Sequence, residues 1–531
     1  MRDAVFPTRL ARLLLAVAVT AGVLLFWIFD ALPYQDLPAH AGLIAIRHAF
    51  HESSFYPRYY NLGSYVGPYA IFLWLGEAFG RVLGPLGAVR ALASLPVLAT
   101  PLALLFARRR LQGDRSLWAG FLGVALSFGF MTILGLASYL LALALLLVAL
   151  TVWLELLAEV DDARRSGPRE LLFGAAAVVV CLAHGHAFAV LVMLAGLTAL
   201  AGPNRRQRIV PLRALLPALG VAAWSALKGG TPPGSSSRAF VLAASPDYQT
   251  PLDKLSLLLT PTLMTRTGLD AAVGVVVWGV ILAASVATLH DRSPQAKGGD
   301  VASRAKSRAL AWGAGGAAVA FVALPHAFLW FGFIDGRMVP VFLFLAILCV
   351  RRPALGARLE RALDIVAPVA AFAMIGIVGF ASSRFQAEAA GYREVLGRVP
   401  PGGRLLNLPI DPDSEVFTAH PFVHFDKLVA IEKPVLLSDV WADRATALYP
   451  TPENPSARLP RDYNSASLKT LDWPAYDLRD WSHVLVRTRP DALPPATPRE
   501  LSLDAHVGGW WLYLSKSFRL EDLKDLREDG P

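Results

Sequence analysis

A chain of 531 residues that is 55% hydrophobic and only 17% charged cannot be an ordinary soluble enzyme throughout. Its apolar residues fall in runs of roughly 20, the length that a bilayer core of about 30 Å demands. The formal net charge of +9 comes from basic residues clustered between those runs, which reads as a topology signal rather than a nucleic-acid surface. The two cysteines, Cys181 and Cys349, both lie inside apolar runs, so neither a disulfide framework nor a metal-ligand spacing is indicated.

Arg2, Arg9 and Arg12 precede the first apolar run, about 10–29, which places the N-terminus in the cytoplasm. No small-residue cleavage site follows, so this run reads as an anchor. The next stretch, FDALPYQDLPAH, sets Asp30 and Asp36 at the exit of that span, ahead of His40, His48 and His51. On a helix starting after Pro38, Leu43, Ile46 and Phe50 share one face and His40, Arg47 and His51 another. This predicts an amphipathic helix on the membrane, its basic edge turned to water or headgroups. Asp36 precedes it, either as an N-terminal cap or as a general base at the bilayer surface.

Residues 65–84 carry Glu77 and Arg81 at i,i+4, a pair able to satisfy itself, and read as a second juxtamembrane helix. A span at about 86–107 then brings Arg108, Arg109 and Arg110 back to the cytoplasm. Runs at 116–135 and 137–157 predict a hairpin, and 171–202 reads as two short helices broken at His184-Gly185-His186. Further spans are expected near 213–228, 270–289, 309–330, 338–350 and 365–381. The total is about eleven, which sends the C-terminus outside. Beyond residue 382 the long apolar runs stop, and GRLLNLPI, HVLVRT and GGWWLYLSKSF read as strands. The expected organisation is an α-helical polytopic membrane body, 1–381, followed by a small extracytoplasmic α/β domain, 382–531.

Three outward segments besides the first loop gather ionisable groups. One is PHAFLWFGFIDGRMVP, with His326, Asp335 and Arg337 at the mouth of a span, where a guanidinium either snorkels or grips a lipid-linked phosphate. Another is the long loop 229–269, flanked by Lys228 and containing Arg266, and a third is the His184-x-His186 pair. No nucleotide fingerprint, zinc spacing or nucleophile elbow appears.

The acidic loop FDALPYQDLPAH, the helix GPYAIFLWLGEAFGRVLG, the span ending in ARRRLQGDR, and the runs GLASYLLALALLLVALTVWLELL and CLAHGHAFAVLVML together resemble the GT-C class of integral-membrane glycosyltransferases. That resemblance implies a polyprenyl-phosphate-linked sugar as donor and a glycan, lipid or protein as acceptor, with no nucleic acid. It implies transfer to a hydroxyl on the outer face of a bacterial inner membrane. Asp36 would be the base, with Asp30 as the second acid. His40, Arg337, Arg266, Lys228, Asp335, His184 and His186 would contact substrate or phosphate. The class commonly shows two acids close together, whereas here they stand six apart. No cofactor is assigned and a divalent metal is left open. A non-catalytic lipid-binding or scaffold relative of the same fold is the alternative, and a transporter is disfavoured by the lack of an inverted repeat.

Overall fold

The structure is a computed structural model, and it describes residues 8–159, 163–200, 209–228, 245–290, 301–328, 331–441, 446–460, 463, 471–493 and 495–518. It is mostly helical. Among the described residues four helices are long and apolar enough to cross a membrane: Ala70–Gln112, Ala137–Ala158, Leu269–Leu289 and Ala357–Ala389. Gly185–Leu200, Pro211–Leu227 and Met338–Cys349 are shorter apolar helices.

The helix Ala70–Gln112 breaks at Gly84, whose φ of 72° and ψ of 168° lie outside helical space, immediately before Pro85. Glycine tolerates that conformation where a side chain would clash. The break falls between the juxtamembrane segment and the span read from sequence. The 171–202 run likewise divides at His184, between helices Ala163–Ala183 and Gly185–Leu200.

The 116–135 run is not one helix. Trp118–Ala125 covers eight residues, about 12 Å of rise, and only Phe130–Ile133 resumes after it. The cause lies far along the chain. Phe130 N–H donates to the carbonyl of Thr260 at 2.7 Å, and a Cβ on Gly129 would sit 2.4 Å from the Pro261 carbonyl. That inserted loop turns the backbone and brings Gly135 against the first outer loop.

Two expectations about that loop are corrected. The helix Leu37–Ala49 does not lie on a surface, because residues 37–46 are buried on every face. It packs against the segment Pro421–Leu428 and the helix Ala70–Gln112. Arg47 is correspondingly inside: its Nε donates to Glu77 at 2.7 Å, and Nη1 donates to the Thr446 carbonyl at 2.7 Å. Glu77 therefore pairs with Arg47, not with Arg81. Arg108 is also more than a topology signal. Fully buried, it donates to the carbonyls of Ile347 and Val350 and stacks over Trp118, closing the end of Met338–Cys349.

The last long helix continues to Ala389, and the strands follow. Strand β1, Tyr60–Leu62, belongs to the first outer loop. The others are β2 Arg404–Pro409, β3 Leu436–Leu437, β4 Leu448–Pro450, β5 His483–Arg487, β6 Leu501–Val507 and β7 Trp510–Ser515. The three runs read as strands are β2, β5 and β7. They form a mixed five-stranded sheet ordered β3-β2-β5-β7-β6, with β3, β2 and β5 parallel and β7 antiparallel to both its neighbours. Alternate side chains go to opposite faces, as the pleat requires. Leu405, Leu485 and Leu512 join the main core, while Leu406, Val484 and Trp511 form a smaller one. An aromatic stack joins sheet to helices: Phe385 lies on Phe422 at 5.1 Å and Phe425 on Trp510 at 5.7 Å. Strand β1 pairs antiparallel with β4, so the segment after the first helix is stitched to the region after the sheet begins.

Candidate functional site

Asp36 sits at the N-cap position of Leu37–Ala49, yet its side chain accepts no capping hydrogen bond. The cap reading is therefore wrong; the carboxylate is directed elsewhere. Its backbone is fixed by Gln35 N–H and Asp36 N–H donating to the carbonyls of Ile133 and Leu134 at 2.9 and 3.2 Å. Gly135, with φ of 82°, permits this approach, since a Cβ there would lie 2.8 Å from Asp36 N. Gly135→Ala is accordingly expected to cost about 1–3 kcal/mol through the strained φ and the contact with Asp36; thermal unfolding in detergent checks this.

The carboxylate faces His424, whose Nε2 is 3.8 Å from Oδ1, and the Gln35 amide, 3.4 Å away. Burial pushes the Asp36 carboxyl up to about 7, an effect the Gln35 amide and the Arg337 charge oppose and Asp439 reinforces. A carboxylate near neutrality accepts a proton well at physiological pH. His424 is held by its own segment. Lys427 Nζ donates to Asp426 at 2.9 Å and Asn407 of β2 donates to the same carboxylate at 3.0 Å, all three buried.

His40 stands one turn beyond Asp36. Its ring meets Phe72 at 4.5 Å and Trp441 at 5.0 Å, and its Nδ1 is hydrogen-bonded to the Tyr69 hydroxyl at 3.0 Å. Burial, with His424 nearby, holds its pKa down at about 3, so it is neutral. Tyr69 itself has φ of 86°, a conformation costing about 1–3 kcal/mol that its packing must sustain. Trp441 also meets His424 edge-on at 5.4 Å, so one indole links the two histidines.

Arg337 caps Met338–Cys349 and is 6% exposed. Its guanidinium lies 4.0 Å over the Phe331 ring and 5.4 Å from that of Tyr139. Nη2 donates to the Gly332 carbonyl at 3.3 Å, whereas Nε and Nη1 are buried with no hydrogen-bond partner. The charge is within electrostatic reach of Asp36. His184 and His186 pack against the same Tyr139 and Phe331 rings. His184 Nδ1 accepts from the His186 backbone N–H at 3.2 Å, and His186 Nε2 is another buried atom without a partner. Arg337, His184 and His186 thus gather around two aromatic rings, with Arg337 Nε and Nη1 and His186 Nε2 left without partners.

The remaining residues lie elsewhere. Asp335 is fully buried and takes His326 Nδ1 at 2.9 Å and Lys254 Nζ at 3.2 Å. Lys254 also donates to the carbonyls of Phe321, Val322 and Leu324, closing the end of the helix Val301–Ala323. This knot supports the loop carrying Arg337. Lys254→Met is expected to cost about 3–5 kcal/mol by stranding a buried carboxylate. Asp335→Asn in the same chain should recover part of that, and thermal unfolding in detergent measures both.

Asp30 is turned away from Asp36 and pairs at the surface with Arg393. Arg266 donates to the Phe417 carbonyl at 3.0 Å and lies 3.8 Å from Asp413. It reaches Asp36 only in relay: Asp413 bonds His420, the His420 N–H donates to Gln35 at 3.2 Å, and Gln35 contacts Asp36. Lys228 ends its helix, and its side chain lies outside the described residues, as does the loop from 229 to 244. Among the described residues no three His, Cys, Asp or Glu side chains gather to hold a metal ion. One carboxylate beside an amide and an imidazole does not fit the oxygen-rich shell of a divalent cation such as magnesium.

Gln35, Gly135, His424 and Trp441 were not singled out from sequence. HPFVHFDKL, which contains His424, has no periodicity or spacing that marks it.

No family model and no curated protein matches the chain. Among solved structures it is similar to the arabinofuranosyltransferase AftD from mycobacteria, at 16% identity over 97% of this chain and 40% of that one, with a TM-score of 0.49. The chain therefore spans well under half the length of that protein. It is also similar to the oligosaccharyltransferase AglB from Archaeoglobus fulgidus in complex with an inhibitory peptide and a dolichol-phosphate. There the identity is 13%, over 90% of this chain and 69% of that one, with a TM-score of 0.46. The oligosaccharyltransferase from the same organism in complex with Zn and sulfate gives 14% identity, 89% and 68% coverage, and a TM-score of 0.44.

Proposed function

We propose that this protein is a membrane glycosyltransferase moving a sugar from a polyprenyl-phosphate donor to an acceptor hydroxyl on the extracytoplasmic face. The carrying observation is an uncapped, largely buried carboxylate, Asp36, within electrostatic reach of a buried arginine, Arg337, whose Nε and Nη1 lack partners. Asp36 takes the proton of the acceptor hydroxyl as its oxygen bonds to the anomeric carbon. The bond from that carbon to the phosphate oxygen breaks, and the electron pair leaves with the polyprenyl phosphate. The departing phosphate gains negative charge, which Arg337 meets with a guanidinium already desolvated. His424 and Gln35 orient the carboxylate. His184 and His186 line the phosphate side, and His40, neutral and tied to Tyr69, supports the helix that carries Asp36.

On this reading the chain works in a bacterial inner membrane. Its N-terminus is cytoplasmic and its strand-bearing C-terminal portion lies outside. The direct test is transfer from radiolabelled polyprenyl-phosphate sugars in membranes containing the full chain. Label moving to a membrane or glycan acceptor supports the reading, and silence across pentose and hexose donors would sink it. One observation favours a non-catalytic lipid-binding relative instead: Asp30 faces Arg393, so the second acid of the first loop does not stand beside Asp36. In that case labelled donor should bind without being consumed.

A further inference from the structure

Beyond the Asp36 site the molecule holds a cavity of about 390 Å³, lined by Arg266, Glu388, Asp411, Asp413, Arg487 and Arg489 among others. That volume suits a small ligand. Most of its charges are already matched. Arg489 Nε donates to Asp411 at 2.8 Å, Arg266 lies against Asp413, and Glu388 accepts from the Ser414 hydroxyl at 2.5 Å and the Glu415 N–H at 3.1 Å.

Arg487 is the exception. At the end of β5 it is 3% exposed, and its Nε and Nη1 have no hydrogen-bond partner. The guanidinium lies 4.5 Å from the ring of Phe422 and 5.0 Å from that of Trp510, two rings set edge to face 5.6 Å apart, so it sits in the corner they make. Glycine at 509 makes room for it, since a Cβ there would fall 1.9 Å from Nη1. Burying a cation with idle donors is unfavourable unless something else uses them. Nε and Nη1 are sealed from solvent, so Nη2 is the edge that remains to bond a ligand.

The ligand chemistry follows from the surroundings. Asp411 and Glu388 act on Arg487 with negative charge, so a full anion entering the cavity is opposed. A neutral polyhydroxylated molecule is not. Its oxygens accept from the guanidinium while its hydroxyls donate to the carboxylates. The relay from Asp413 through His420 and Gln35 puts the cavity two residues from Asp36. We infer that this cavity is the subsite for a neutral glycan acceptor, with Arg487 as its anchoring donor. The inference rests on the glycosyltransferase reading for the word acceptor but not for the binding itself.

The test is binding without any donor. Purified full-length protein in detergent is titrated against fluorescently labelled neutral pentose and hexose oligosaccharides. Comparison is with Arg487→Met, which keeps the aromatic corner filled, and Asp411→Asn at the more open rim. At least one oligosaccharide is expected to bind, and about tenfold more weakly to each variant, as loss of a charged hydrogen bond implies. The Arg487→Met thermal midpoint should equal or exceed that of the natural chain, which excludes unfolding as the cause. Failure of every oligosaccharide to bind, equal binding by both variants, or displacement of the sugar by inorganic phosphate would each overturn the subsite. Sugar transfer with variant-insensitive binding removes the subsite and spares the enzyme. Variant-sensitive binding without transfer keeps the subsite and removes the enzyme.

Discussion

Asp36→Asn is expected to lower sugar transfer by about two to four orders of magnitude, the range a positioned general base supplies, while making the fold more stable near neutral pH. The two effects share one cause. Burial raises the Asp36 carboxyl from 3.8 to about 7, so ionising it inside the protein is unfavourable. Below pH 4 the group is neutral in both folded and unfolded chains and costs nothing. Between pH 4 and 7 the unfolded chain ionises first, and folding stability falls progressively. Above pH 7 both forms are charged and the loss is constant, at most about 4 kcal/mol for a shift of this size. Asparagine has no such penalty, so its advantage in thermal midpoint should grow from pH 4 to 7 and then level off. The natural protein's kcat/KM should rise with pH through about 7, and that limb should vanish in the variant. A variant that loses activity by losing stability instead would show that the carboxylate is structural.

How far the sequence carried depended on whether the deciding contact was local. The break at Gly84 before Pro85, the division at His184, and the strands β2, β5 and β7 are all set by residues close in sequence. So is the start of the helix Leu37–Ala49 directly after Asp36. The failures have distant causes. Leu37–Ala49 has the amphipathic spacing of a surface helix, but its polar side is enclosed by residues distant in sequence, Arg47 by Glu77 and the Thr446 carbonyl and His40 by Phe72 and Trp441. Glu77 has Arg81 at ideal helical spacing and pairs instead with Arg47, which the fold brings in from the buried helix. The 116–135 run is apolar enough to cross a bilayer and is broken by the Thr260 and Pro261 carbonyls. Asp30 and Asp36 look equivalent on paper. Arg393 claims the first, and only the second turns inward.

Arg337 was proposed from the guanidinium's suitability for a lipid phosphate; its surroundings make that role testable. Arg337→Met is expected to reduce kcat by about 10²–10³-fold, the scale for removing a preorganised donor to developing charge. KM for the donor should rise less, because a bound phosphodiester already carries one negative charge and the leaving phosphate monoester approaches two. An interaction strengthened along the reaction belongs mainly in kcat. Arg337→Lys should recover little. An ammonium keeps the charge but cannot present two parallel donors or lie flat on Phe331, 4.0 Å below the guanidinium. Stability separates this from a structural arginine. With Nε and Nη1 unpartnered, the guanidinium is not repaid inside the folded chain, so an apolar residue of similar reach should leave the thermal midpoint unchanged or raise it. A collapse of the midpoint in Arg337→Met, or recovery of full turnover in Arg337→Lys, would show that Arg337 holds the Phe331 loop in place and that the phosphate's charge is met elsewhere.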